Sequence, residues 1–147
     1  MNNFYKIIAF ASISIFFAFL AFKLESTFAE KFAENIIALL TTLFAINIAS
    51  STLIAGKVRE IQEKTGHPFT KTKKNLKNSF YEQIIFIGLA FIFGLLRESK
   101  YLQTHFNPDN LKIICNSVLF FTFIYYLDVI RDIGKSLFDL LDFDDKK

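Results

Sequence analysis

One cysteine, two histidines, two prolines and five glycines are spread over 147 residues, and each scarcity removes a class of answer. A lone Cys115 cannot close an intramolecular disulfide, so no oxidised framework holds the chain together. His67 and His105 fall on opposite sides of a membrane in the topology derived below, so they cannot share a metal. The glycines form no phosphate-cradling loop. No GxSxG or HExxH run occurs, and no carboxylate pair lies inside an apolar stretch. Neither catalysis nor a cofactor is expected.

Charge is scarce in a more informative way. Residues 7–22, 35–56, 83–96 and 113–127 carry no Asp, Glu, Lys or Arg and hold most of the 20 phenylalanines. Crossing a bilayer core takes about 20 apolar helical residues, because a backbone amide left unpaired in lipid is too costly. Only 35–56 reaches that length alone. Four such stretches in so short a chain nonetheless exceed what any small soluble core could bury. With 52% hydrophobic residues and a mean hydropathy of +0.36, the expected fold class is all-α. It is a polytopic membrane protein, one domain of four transmembrane helices at about 5–24, 32–56, 80–97 and 110–128. A loop at 57–79 and a tail at 128–147 complete it. The first stretch is longer than a signal-peptide core and is followed only by a poor small-residue match (Thr27, Ala29), so it is expected to be retained.

Basic residues set the orientation. With the 57–82 connection in the cytoplasm, 12 Lys and Arg lie inside and five outside, which places both termini in the cytoplasm of a bacterial inner membrane. Capping chemistry suggests the boundaries. Thr27-Phe28-Ala29-Glu30 fits a capping box that opens the second helix at about Phe28. Thr65-Gly66-His67-Pro68 stops it after about Lys64. Ser79-Phe80-Tyr81-Glu82 fits a second capping box, and Asn107-Pro108 opens the last helix. No proline interrupts that helix afterwards. It is expected to run on as an amphipathic cytoplasmic segment, so the second and fourth helices both project from the membrane.

Within this frame a few residues stand out. Thr41, Ala45, Ala49, Thr52 and Gly56 form a small-residue face on the second helix, with Asn47, Ser51 and Ala55 on an adjacent one. Lipid offers helices no hydrophobic reason to associate, so small faces and hydrogen bonds do that work. The surface is either ordinary helix packing or an oligomer face that turns hydroxyls and Asn47 toward a pore. Lys71, Lys73, Lys74 and Lys77, interleaved with Phe69, Phe80 and Tyr81, would bind anionic lipid or an acidic partner, or simply fix orientation; no direct nucleic-acid contact is expected. Glu82 is read as a helix cap or an ion site at the membrane boundary. Ile130, Ile133, Leu137 and Leu141 line the apolar side of the tail. Their alternatives are docking of a cytoplasmic protein and packing on the second helix.

The run "FAINIASSTLIAGKVREI" (44–61) leads a small-residue helix straight into a charged extension, and "SFYEQIIFIGLAFIFGLL" (79–96) follows it. This layout resembles small four-span membrane proteins of phage-defence and abortive-infection systems, such as the membrane subunit of Kiwa and the lambda exclusion protein RexB. The resemblance implies a non-enzymatic homo-oligomer, in contact with membrane lipid, that either leaks ions or holds a cytoplasmic partner. An immunity protein against a pore-forming bacteriocin and a holin-like lysis protein are the alternatives.

Overall fold

The computed structural model describes residues 3–66 and 68–144, with side chains described for 4–66 and 68–138. It is helical throughout, with no strand among the described residues. The elements are α1 (Asn3–Lys23), α2 (Phe28–Thr65), α3 (Thr70–Glu98), the short α4 (Lys100–His105) and α5 (Pro108–Asp144). α1, α2, α3 and α5 are each long and apolar enough to cross a membrane. Their surface is inverted relative to a soluble protein. Phe16, Ile46, Ile85, Phe91 and Ile114 are more than half exposed, while Gln83, Thr122 and Asn47 are buried. Among described residues that pattern suits lipid as the surrounding solvent.

α5 is the hub. α1, α2 and α3 all pack along it and α4 rests beside its start, whereas α1 only touches α2. The reason lies in α5's periodicity: Cys115, Leu119, Thr122, Tyr126, Val129 and Ile133 are all buried at alternating spacings of four and three. Leu119 and Tyr126 meet Ala33, Ile36 and Leu40 of α2 and Ala90 of α3. Further along, Val129 and Ile133 join Ile54, Val58 and Ile61 of α2 and Leu76 of α3 in a second apolar core.

α1 reaches α5 through small residues. Ser14 and Ala18 are buried, and Ala11 and Ala21 continue the same face. Ser14 spends its proton on the Phe10 carbonyl (2.7 Å), so it brings no unpaired donor into the contact. Rings lock the flanks, with Phe10 edge-on to Tyr125 and Phe17 edge-on to Phe120. Ala18→Leu should therefore lower stability by about 1–3 kcal/mol through overpacking. The same change at the exposed Ala9 should be nearly silent. Thermal unfolding of the detergent-solubilised variants measures both, and equal melting temperatures would remove α1's small face from the packing argument.

Most boundaries follow the sequence, including the start of α2 at Phe28; the start of α3 and the capping of α2 do not. α2 ends on Gly66, which adopts φ 70° and donates its N–H to the Gln62 carbonyl (2.9 Å). Asn107 caps α5, its Oδ1 accepting from the amides of Asp109 (2.9 Å) and Asn110 (3.4 Å), and α5 then runs unbroken to Asp144. Thr27 does not form the expected capping box. Its backbone is already helical (φ −66°, ψ −9°), which turns the hydroxyl away, and Ser26 Oγ accepts from Phe28 N instead. α3 begins at Thr70 rather than Ser79, because nothing after Pro68 breaks the helix. Ser79 is an interior residue whose hydroxyl donates to the Asn75 carbonyl (3.0 Å). The expected 57–79 loop is thus mostly two helical arms, the end of α2 up to Thr65 and the start of α3 from Thr70, packed on the extended part of α5.

Candidate functional site

α2 has two unlike faces over a length of about 57 Å, at 1.5 Å per residue. Inward, Ile36, Leu40, Asn47, Ser51, Ile54, Val58 and Ile61 are buried. Outward, Thr41, Ala45, Ala49, Thr52 and Gly56 are all exposed, beside Ile46, Ile48 and Leu53. The outward hydroxyls are already used. Thr41 donates to the Ile37 or Ala38 carbonyl (2.8 and 3.0 Å) and Thr52 to that of Ile48 (2.9 Å). What remains is a smooth, narrow surface without free donors, the kind against which a second helix can lie close.

This corrects the expected pore face. Thr41, Ala45, Ala49 and Thr52 share one outer surface, but Asn47 and Ser51 do not belong to it. They point into the protomer, where Asn47 borders a small cavity with Ile54, Ile130, Ile133 and Leu137. The cause is the helical period: Asn47 and Ser51 lie two residues from Ala45 and Ala49, a rotation of about 200° that turns them to the inward side.

The depth of the outward face is unusual. Tyr126 of α5 donates its hydroxyl to the Leu40 carbonyl (3.0 Å), and the Phe80 ring of α3 stands edge-on to Phe44. Beyond that level α5 carries Asp128, Arg131, Asp132 and Lys135, and α3 carries Lys77, Lys74 and Lys73. α2 stays uncharged to Gly56, about 18 Å further along its axis at 1.5 Å per residue. Ile46, Ile48 and Leu53 are exposed there, 58%, 43% and 69% respectively, alongside charged segments of its neighbours. An apolar strip is thus exposed on α2 at a level where its neighbours carry charge.

The interior holds a polar seam. Tyr126 Oη also lies 3.1 Å from Gln83 Oε1, yet a phenol has only one proton. Turning the Gln83 amide over would use its otherwise unpaired Nε2 and tie α2, α3 and α5 at one point. At the edge of this seam the buried Asp128 pairs with Lys6 of α1, and its other oxygen lies 2.8 Å from Arg131. An acid at this depth is tolerated because two cations face it.

Lys71, Lys73, Lys74 and Lys77 are exposed on the first turns of α3; Lys73 reaches Gln62 Oε1 (2.9 Å) and Lys77 stands over the Tyr81 ring. Glu82 is exposed well inside α3 and caps nothing, because the helix starts at Thr70. Ile133 is buried and Ile130 and Leu137 are partly buried against this chain's own helices, so these three are not an open docking surface. The side chain of Leu141 and all of His67 lie outside the described residues. His105 Nδ1 lies 2.9 Å from the Tyr101 carbonyl, and no cluster among the described residues has the composition of a metal site.

Two functional-looking groups escaped the sequence reading. Asp128 looked like the first charge of a solvated tail, although its partner Lys6 is the only cation near the start of α1. Arg97 looked like a boundary charge, yet it is buried, with Nε 3.2 Å from Asn116 Oδ1 and Nη1 2.6 Å from Glu98 Oε1. Asn116, an amide inside an apolar stretch, was the available signal. No protein-family model, curated protein or solved structure matches this chain.

Proposed function

We propose that this chain is a non-enzymatic, homo-oligomeric component of a bacterial inner membrane, serving as sensor or scaffold in a phage-defence system. Its cytoplasmic termini and basic α2–α3 arms would meet a soluble partner. The observation that carries the assembly is the outward face of α2, small and free of spare donors, which continues past the depth at which the other helices become charged. A second copy is the natural cover. Only another membrane-spanning helix of similar length follows this face both inside the bilayer and beyond it, and α2 of a neighbouring protomer has that length and the same small residues. The scaffold or sensor role is favoured over an ion leak, because the polar Asn47 and Ser51 face inward and the exposed threonines bond to their own helix. The defence role rests on the resemblance in layout.

Ala49→Leu adds bulk where two α2 helices would approach and should convert the oligomer to smaller species, whereas Leu39→Ala, on another exposed part of α2, should not. Native mass spectrometry in detergent reads the size, and plaque formation on cells expressing the protein with its neighbouring genes reads protection. Unchanged mass in the Ala49→Leu variant would end the assembly reading. Absence of protection by the unaltered protein would end the defence reading and leave the assembly standing.

A further inference from the structure

At the end of the molecule opposite the basic arms, α1 turns into α2 beside the start of α5. A cavity of about 260 Å³ opens there, lined by Arg97 and Lys112, by Glu25, Glu30 and Asp109, and by the small or apolar Ala21, Ser26, Ala29 and Ile113. Its charges are of both signs: Arg97 is buried, whereas Lys112 and the acids are exposed or half-exposed. Arg97 forms part of the wall with only 6% of its surface exposed, and its Nη2 has no partner among the described residues. The acids are exposed at the mouth; Glu30 and Lys112 approach to 3.8 Å. Such an arrangement accepts an anion inside and a cation at the rim.

The turn that forms this mouth is strained in a telling way. Ser26 N–H bonds to the Ala21 carbonyl (2.9 Å) and Glu25 N–H to that of Phe22 (3.1 Å), the helix-ending motif that wants glycine at its left-handed position. Glu25 occupies that position at φ 49°, the one positive-φ non-glycine among the described residues. Its side chain lines the cavity instead.

The cavity also continues into apolar space. Ala21 and Ser26 are shared with a groove of about 450 Å³ whose other walls include Phe17, Phe28, Phe32, Phe120 and Phe123. Ile113 is shared with a second apolar groove on the other side of α1, lined by Ile7, Ala11, Ile15 and Phe121. A polar chamber opening into apolar grooves has the shape of an amphiphile.

We infer that this end of the molecule is a binding site for a phospholipid whose headgroup joins a phosphate to a primary ammonium. The phosphate sits on Arg97 and Lys112. The ammonium donates hydrogen bonds to Glu25 and Asp109 at the mouth, which a quaternary ammonium cannot do, and an acyl chain lies in the phenylalanine groove. The requirement for an ammonium separates this lipid from anionic ones, which would leave Glu25 and Asp109 without a cation while Glu30 stays beside Lys112.

Delipidated protein in detergent is titrated with phosphatidylethanolamine, phosphatidylglycerol and soluble glycerophosphoethanolamine, with binding read by native mass spectrometry and by the shift in melting temperature. Phosphatidylethanolamine should bind about tenfold or more tighter than either rival, the equivalent of about 1.4 kcal/mol. Lys112→Gln, at a half-exposed position, should weaken it about tenfold without unfolding the protein. Glu25→Gly separates the ligand role from a structural one. It relieves the left-handed strain, so the lipid-free protein should melt higher, while preference for phosphatidylethanolamine should be lost. Equal binding of phosphatidylglycerol would overturn the ammonium assignment. Equal binding of the soluble headgroup would overturn the groove, and undiminished binding in both variants would overturn the site.

Discussion

Ending the chain after Leu127 should sharply destabilise the protein even where no partner is present. The removed segment carries Val129 and Ile133, 5% and 4% exposed, which fill the second core between α2 and α3. Each such side chain contributes about 1.5–3 kcal/mol by burial. Their loss also uncovers Ile54, Val58, Ile61 and Leu76, and it removes Asp128 from beside Lys6. The four apolar stretches would still insert, because none of them extends past residue 127. The expected result is therefore a protein that reaches the membrane, melts at least 10 °C lower in detergent (roughly the effect of several kcal/mol) and is cut by protease in the α2–α3 arms. A truncated protein with an unchanged melting curve would show that the extended part of α5 is a free tail available for docking. The geometry argues the other way, since Ile130, Ile133 and Leu137 already pack on this chain.

Asp128→Ala should be the most damaging single substitution among the charged residues. The Lys6 and Asp128 side chains are 21% and 6% exposed, so the pair is shielded from water on most sides. Removing the acid leaves Lys6 with only Asp132 at 3.9 Å, and breaking a buried pair from one side costs about 3 kcal/mol. Lys6→Ala should cost less, because Asp128 keeps the Arg131 guanidinium at 2.8 Å. Replacing both partners with apolar residues, Lys6→Met with Asp128→Leu, should recover much of the loss, as neither change then strands a charge. Thermal unfolding of the single and double variants gives the coupling directly. Strictly additive losses would mean that the pair is solvated and contributes little. The pair matters to the architecture because α1 otherwise depends on one small-residue face and a few rings for its attachment to α5.

What could be read in advance was whatever depends on neighbours along the chain. Lack of charge over 7–22, 35–56, 83–96 and 113–127 is enough to require four apolar helices, because the cost of an unpaired backbone in lipid applies wherever those helices end up. Gly66 and the Asn107-Pro108 pair act through their own φ angles and amides, so they marked the end of α2 and the start of α5. The Ser79 box misled for the same local reason. Its residues are compatible with a start, but a helix already running from Thr70 makes a start unnecessary.

Everything that depends on which surfaces meet was decided by the tertiary arrangement. α1 and α2 both carry small-residue faces. The fold uses Ser14 and Ala18 of α1 against α5 and leaves Thr41, Ala45, Ala49 and Thr52 of α2 outside. No local rule distinguishes them, since a small face says that a helix can approach and not which one does. Burial of Asp128 and Arg97 is likewise a property of pairs. Lys6 is distant from Asp128 in sequence and Asn116 from Arg97, and only the folding of α1 and α3 onto α5 converts boundary charges into buried, partnered ones. The sequence alone determined that this is a helical protein with four helices long and apolar enough to cross a membrane; the packing of three helices on α5 decided which of its polar residues are spent on holding it together and which remain for something else.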